Sequence, residues 1–467
     1  MEQVKKRPSL RLGARRDVDM TEGNIFGHII RFAIPLLVGN LFQQLYNMVD
    51  TWVVGRFVSD TAFSAVGTVG PIINMLIGFF LGLAGGAGVV ISQYYGAKEE
   101  DKVKKAVHTS LFMTAILAVV FTVVGILIVP YMLKLNKTPE SVLPEATAYL
   151  TIYFAGVAGL MIYNMGAGIL RAVGDSKRPF YFLVISAVTN TVLDLVFVLV
   201  FGMGVEGVAY ATIIAQGLSA VLTVIVLCKS TGCIRLRLAD FKADLAILKK
   251  IVIIGIPTAI QVAITGFSNT FVQGYINHFG DVVMGGWTAY SKVDALMFMP
   301  MQSISLAATT FVGQNIGKGQ VDRAKRGVRY SLYLALLSTA VVMIPIIAFA
   351  PYTVRFFVDT PAIVEYGTLF LQTITPFYLL CVFNQIYAGV LRGAGDTLPP
   401  TIIMVSSFVF FRQAYLFVVA NYISNTIMPI AMSYPAGWLV ASIASSVYYR
   451  CTDLTKKRVV DKKTAEA

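Results

Sequence analysis

An all-α membrane protein, with twelve transmembrane helices as two parallel six-helix repeats (6+6) around a central cavity, is the fold class the sequence predicts. Three observations carry it. Twelve apolar runs are each long enough to cross a bilayer, the basic residues gather on one side of those runs, and the second half of the chain repeats motifs of the first at a nearly fixed spacing.

The 467 residues are 56% hydrophobic and only 13% charged, with a mean hydropathy of +0.71. A water-soluble chain of that length needs more charge to cover its surface, so lipid is the solvent for most of it. The formal charge of +13 invites a nucleic-acid partner. The basic residues flank apolar runs, however, and do not form one face, so the charge is topological and no nucleic acid is expected. Cys228, Cys233, Cys381 and Cys451 show neither metal spacing nor a disulfide framework. No cleavable leader is expected, because the first apolar run begins near Ile25 and outlasts a signal h-region.

Crossing about 30 Å of hydrocarbon takes roughly 20 apolar residues. Runs of that kind lie at 27–55, 62–94, 107–131, 146–172, 179–201, 206–229, 248–279, 283–313, 328–350, 363–392, 398–421 and 428–450. Pro35, Pro257, Pro300, Pro345 and Pro376 offer kinks within them. Of the 38 Lys and Arg residues, 32 fall on one side: in the N-terminal tail up to Arg31, at 98–105, 171–178, 229–250 and 318–329, at Arg392, and from Arg450 onward. Arg56, Lys134, Lys137 and Arg355 fall on the other, and Lys292 and Arg412 sit inside spans. Basic loops stay cytoplasmic, so both termini are expected in the cytoplasm, with the chain multi-pass in the plasma (inner) membrane and an even number of crossings. The expected divisions are a tail over 1–24, a first lobe over 25–229, a basic linker over 230–247, a second lobe over 248–450 and a tail over 451–467.

The repeat is explicit in the residues. Leu170-Arg171-Ala172-Val173-Gly174-Asp175 returns as Leu391-Arg392-Gly393-Ala394-Gly395-Asp396, an offset of 221 that also pairs Gln93 with Gln314, Gly96 with Gly317 and Pro179 with Pro400. One residue of slip pairs Pro35 with Pro257 and Asn47 with Asn269. Six spans per repeat is even, so both halves insert the same way up and relate by a two-fold axis along the membrane normal, with a cavity between two lobes. In the two Leu-Arg-x-x-Gly-Asp loops the Gly permits a tight turn, the Asp can cap the next helix and the Arg can bond the last carbonyls, so both read as structural turns or gates.

Polar and ionisable groups within spans cost roughly 2.5–3.5 kcal/mol each on insertion scales and are functional candidates by default. Asp50 lies 19 residues past Arg31 and Asp194 lies 16 past Arg178, so at about 1.5 Å per residue both reach the outer part of the membrane on separate helices. Asn190 precedes Asp194 by four residues and shares its face, and Thr212 enters at comparable height from the next span. Asp50, Asn190, Asp194 and Thr212 offer only oxygen-type ligands, suited to a hard cation or to proton uptake. The alternative is that these groups satisfy one another and merely hold the lobe together. Gln43, Gln44, Asn47, Gln261, Asn269 and Gln273 are expected at the lobe interface, and Met297, Met299, Met301 and Phe298 around Pro300 offer an adaptable apolar wall or ordinary core. Lys292, Asp294 and Arg412 either pair within the second lobe or tune the cavity for an anionic group. Gly82, Gly85, Gly86 and Gly88 allow close helix packing. Phosphate-loop spacing is absent, no catalytic set is visible, and no cofactor is expected beyond H⁺ or Na⁺ as a coupling ion.

Taken together, these residues carry a resemblance. The stretch Ile34-Pro35-Leu36-Leu37 through Gln43-Gln44-Leu45-Tyr46-Asn47-Met48-Val49-Asp50-Thr51, the duplicated Leu-Arg-x-x-Gly-Asp loops, Asn190-x-x-x-Asp194 and Gln93-Tyr94-Tyr95-Gly96 echoed by Gln314-Asn315-Ile316-Gly317 resemble the multidrug and toxic compound extrusion (MATE) family over about residues 20–450. The resemblance implies a monomeric secondary antiporter, not an enzyme, that exports small organic and often cationic compounds in exchange for H⁺ or Na⁺. It implies a first-lobe cation site at Asp50, Asn190, Asp194 and Thr212, as in the DinF-like and MepA-like branch. The acids that the NorM-like branch carries in spans seven and ten are absent here, since span seven has none before Asp281 and span ten has only Glu365 at its start. A flippase or exporter of a lipid-linked or amphiphilic anion, with Lys292 and Arg412 meeting the headgroup, is the alternative.

Overall fold

A computed structural model describes residues 18–136 and 138–460; the tail residues 1–17 and 461–467, and Lys137, which the charge count placed on the outer side, lie outside the described residues. Within them the helical spans run α1 (Ile25–Phe57), α2 (Thr61–Gly96), α3 (Glu100–Leu135), α4 (Leu143–Ala155 and Val157–Ala172), α5 (Lys177–Val200), α6 (Val205–Lys229), α7 (Leu245–Asn277), α8 (Asp281–Gly317), α9 (Val321–Ala348), α10 (Pro361–Gly393), α11 (Leu398–Ile423) and α12 (Ile427–Cys451). Eleven are long and apolar enough to cross a membrane singly, and α4 completes twelve as a pair bent by 48°. The bend falls at Gly156, where a Cβ would sit 2.3 Å from the Ile213 side chain, so the missing side chain lets α6 approach. Pro376 lies in a 3₁₀ turn inside α10, whereas α1, α7 and α8 continue through Pro35, Pro257 and Pro300. Helix starts use short polar caps: Asn24 Oδ1 accepts from Gly27 N–H, Ser59 Oγ from Ala62 N–H, and Asp244 Oδ1 from both Ala246 and Ile247 N–H.

The two halves cross over. Ile25, Ile29, Phe32 and Leu36 of α1 pack into the core of the second six helices, while Val53 and Val54 of the same helix pack into the core of the first six. The first helix of the second half mirrors this: Ile247, Ile251 and Ile254 of α7 join the core built on α2 and α3, and Val272 and Ile276 join that of the second lobe. Each leading helix therefore leans on the opposite lobe near the basic end and on its own lobe at the other end. Gly82 and Gly86 of α2 bring α7 into backbone contact, since a Cβ would lie 2.5 Å from Ala259 N and 2.6 Å from Gly255 Cα. Gly85 faces open space, and Gly88 meets Gly168 of α4. Beyond that contact the helices part: added Cβ atoms at Gly67, Gly70, Gly266 and Gly274 would meet nothing within 4 Å.

At the basic end the lobes are locked reciprocally. The Gln93 amide donates to Gly393 O at 2.9 Å and accepts from Val459 N–H at 2.7 Å. Its repeat partner Gln314 donates to Ala172 O at 2.9 Å and accepts from Met20 N–H at 2.9 Å. A Cβ on Gly96 would stand 1.9 Å from Gln314 O, and one on Gly317 2.0 Å from Gln93 O, so no other residue fits at either crossing. The first and last described segments, around 18–23 and 458–460, are stitched over the seam. Val18 N–H donates to Val173 O, Lys318 Nζ donates to Glu22 Oε1 at 2.9 Å and holds that carboxyl below its ordinary range, and Lys250 Nζ donates to Val459 O. Gly174 and Gly395, at φ +85° and +90°, form the two repeated turns, and Asp175 Oδ1 accepts from Lys177 and Arg178 N–H as a cap. Asp396 does otherwise, accepting from Tyr448 Oη at 2.6 Å. The segment after α6 is docked by a histidine: His108 Nδ1 donates to Lys104 O at 2.7 Å, which leaves Nε2 to accept from Arg237 N–H at 3.1 Å.

Gly96→Ala and Gly317→Ala are expected to lower the melting temperature of the purified protein, because overpacking against a backbone carbonyl costs about 1–3 kcal/mol. Gly85→Ala is expected to leave it unchanged. Equal melting curves for Gly96→Ala and Gly85→Ala would contradict the close crossing.

Candidate functional site

Between the lobes lies a cavity of two connected chambers, of about 660 and 790 Å³, which share Asn40, Gln43, Tyr46, Ile77, Leu81, Gln216 and Gln302. Gln43 lines both chambers; Gln261 and Asn269 line the one nearer the basic end; Gln44, Asn47, Asp50, Thr212 and Lys292 line the other. Helical phase selects the wall that α8 presents. Lys292, Ala295, Met299 and Gln302, spaced three or four apart, face the cavity, while Tyr290, Asp294, Met297 and Met301 lie on the opposite stripe.

Three candidates are therefore not wall residues. Met297 is buried in the second-lobe core, and Met299 takes the wall position. Asp294 accepts from Tyr290 Oη at 3.4 Å, and Tyr290 Oη lies 3.2 Å from Tyr378 Oη. Arg412 is 3% exposed and follows a π-helical turn, Ser406–Phe411, in α11. Its Nη2 donates to Ser268 Oγ and Asn269 Oδ1, both at 2.8 Å, and the guanidinium lies 4.8 Å over the Tyr434 ring. No ion pair joins Asp294, Lys292 or Arg412 to one another among the described residues. Arg412 reaches the cavity only through Asn269, whose amide it orients.

The ion candidates form a different kind of site. Asp50 is 8% exposed and touches the cavity, whereas Asp194 and Asn190 sit behind it at 0% and 2%. The Asp50 and Asp194 carboxyl groups are close enough to hydrogen-bond through one shared proton. Other side chains leave them wanting. Asp50 Oδ1, both Asp194 oxygens, and both polar atoms of the Asn190 amide are buried without a donor or acceptor. Thr212 Oγ1 spends its proton on Val208 O at 2.9 Å, which leaves its lone pairs free. A π-helical turn, Val196–Val200, follows Asp194 directly. Two carboxylates in contact, with no ion pair to a Lys or Arg among the described residues, repel each other when both are charged, and uptake of a proton or a small cation would relieve that repulsion. The donors present, carboxylate, amide carbonyl and hydroxyl oxygen, fit either. Sequence reasoning did not single out Tyr149 and Tyr153 of α4, which line the chamber beside Asp50, nor Gln216, one turn past Thr212. Their spacing of four on adjacent spans was the available signal.

Two similar helical lobes around a cavity of mixed apolar and polar lining, closed at one end, define a membrane transporter. The comparisons agree. The family model described as MatE matches residues 35–196 and again 257–416, once per repeat. The chain is 28% identical to "Probable multidrug resistance protein YpnP" of Bacillus subtilis (strain 168), covering 92% of this chain and 96% of that one. It is 28% identical to "Probable multidrug resistance protein NorM" of Thermotoga maritima, over 84% and 85%. It superposes with a TM-score of 0.88 on the solved structure titled "Outward-facing conformation of a multidrug resistance MATE family transporter of the MOP superfamily", at 23% identity and over 93% and 97% of the two chains. The chain belongs to the MATE family of multidrug efflux transporters.

Asp194→Asn is expected to raise the melting temperature of the purified protein, because the amide removes a buried group that resists desolvation when charged. A carboxylate whose role is to hold the lobe together would give the reverse, a lowered melting temperature.

Proposed function

We propose that the protein is a monomeric secondary antiporter of the inner membrane that exports small organic compounds in exchange for H⁺ or Na⁺, with Asp50, Asn190, Asp194 and Thr212 as the coupling site. The basic end faces the cytoplasm, by the rule that Lys- and Arg-rich loops are retained there. The observation that carries the reading is the cluster of buried, unpartnered oxygens behind Asp50. In the state described, the lobes are sealed at the basic end, so the cavity and Asp50 communicate with the outside.

The coupling follows from charge. With the cavity open outward, an ion enters past Asp50 and removes one of the two charges of the carboxyl pair. The singly charged, ion-bridged pair tolerates the drier surroundings of a closed lobe better than two bare carboxylates do, so ion binding shifts the balance toward the inward-open state. Release of the ion to the cytoplasm restores the charge and favours the return with substrate. The ion does work only through its different affinity for the two states.

In proteoliposomes with a proton gradient and a sodium gradient imposed separately, the wild-type protein is expected to drive uphill dye movement under one of them. Asp50→Asn and Asp194→Asn are each expected to slow it by about tenfold or more, the scale of a typical coupling energy. Undiminished gradient-driven transport in both variants would overturn the assignment.

A further inference from the structure

The walls of the central cavity carry an unbalanced charge. In the chamber nearer the basic end, the ionisable side chains other than tyrosines are Arg171 and Arg392, the two arginines of the repeated Leu-Arg-x-x-Gly-Asp turns, and no acid faces them among the described residues. In the other chamber stand Lys292 and Asp50, and Asp50 is engaged with Asp194. Arg171, Arg392 and Lys292 take part in no ion pair among the described residues. By contrast the turns' aspartates are engaged elsewhere, Asp175 with Arg178 and the α5 start, Asp396 with Tyr448. Three cations thus face the cavity with one acid among the described residues, and that acid is engaged by the coupling ion whenever the ion is bound. A mobile cationic solute entering this cavity meets repulsion at its floor, and an anionic one meets two guanidinium groups placed there by the internal repeat.

Resting on the export reading above, we infer that the substrate is an organic anion, a compound with a phosphate, sulfonate or carboxylate head held by Arg171 and Arg392 and an apolar body lying toward Phe298 and Met299. The glutamine amides of Gln216, Gln302 and Gln385 on the same walls donate to or accept from the polar edges of such a body. Lys292 lies on the route outward and draws the anion from the floor toward the exit. Arg412, the guanidinium that a reading of the spans alone selects for this role, is spent on Ser268, Asn269 and Tyr434 behind the wall.

The test uses two dyes with the same ring system and opposite charge, carboxyfluorescein and rhodamine 123, titrated against the full-length protein in nanodiscs by fluorescence anisotropy. The wild-type protein is expected to bind carboxyfluorescein saturably. Arg171→Gln, Arg392→Gln and Lys292→Gln are each expected to raise its Kd by about tenfold, the scale of a charge-assisted hydrogen bond, with no such rise for rhodamine 123. Arg392→Lys and Lys292→Arg keep the charge and are expected to raise the Kd less than the corresponding glutamine variants, which separates a lost ligand from a damaged fold. An unchanged carboxyfluorescein Kd in all three glutamine variants, or rhodamine binding without carboxyfluorescein binding in the wild type, would overturn the inference. The export reading has its own readout in gradient-driven dye movement in proteoliposomes. Movement of rhodamine 123 alone overturns the anion site and leaves export standing. Charge-dependent carboxyfluorescein binding without any driven movement supports the anion site and overturns export.

Discussion

Two carboxyl groups in contact, on different helices and in no ion pair with a basic side chain among the described residues, impose the constraint on which this molecule turns. Asp194 is wholly buried, Asp50 reaches the cavity, and the buried Asn190 amide, one turn before Asp194, offers unpaired atoms to whatever they bind. Such a pair is costly to keep when both members are charged and settles when a proton or small cation joins it. A protein that needed only to glue α1 to α5 has cheaper means, as the second lobe shows: there Arg412 Nη2 donates to Ser268 and Asn269 while its Nε stays unpaired, and Tyr290 donates to Asp294. The first lobe leaves its acids unsatisfied, and in the proposed antiport an ion is the missing partner.

The fold turns that local need into movement through its crossed leading helices. Because α1 rests on the opposite lobe near the basic end and on its own lobe near Asp50, a change in the packing around Asp50 acts on the same helix that helps close the seam. The seam is made of polar and backbone contacts: glycines at 96 and 317, the amides of Gln93 and Gln314, and the backbone of Met20 and Val459 laid across them. Hydrogen bonds exchanged with water contribute only about 0.5–1.5 kcal/mol net each, so such a seam is specific in register yet separable. A seam of interlocked leucines would hold the lobes more firmly and resist opening.

Much of this was legible in the residues. Span number, repeat and polarity follow from hydropathy and from Lys and Arg placement, and the twelve runs coincide with the twelve helical spans to within a few residues at most ends. Asp50, Asn190, Asp194 and Thr212 stood out because charge and amide groups are expensive in lipid. What failed was rotational phase. Lys292, Asp294 and Met297 lie within six residues of one another, yet only Lys292 faces the cavity, and nothing in a uniformly apolar helix fixes which stripe points inward. Arg171 and Arg392 looked like helix-end groups, since the Gly and Asp beside them do shape turns, and only the folded chain shows their guanidinium groups on the cavity floor. The docking of the chain ends works largely through the backbone of Val18, Met20 and Val459, atoms that every sequence possesses, so it left no mark to read.

The account stands on ion uptake by Asp50 and Asp194, and equilibrium ion binding reads that step directly. The purified protein is titrated with acid and with radioactive sodium, and the bound ions are counted for the wild type and for the Asp50→Asn/Asp194→Asn double variant. The account predicts that the wild type takes up more cations than the double variant, up to two protons on acidification or one sodium shared by the pair, and that protons and sodium compete if both bind. Equal uptake by the two proteins would place the ion elsewhere and contradict it.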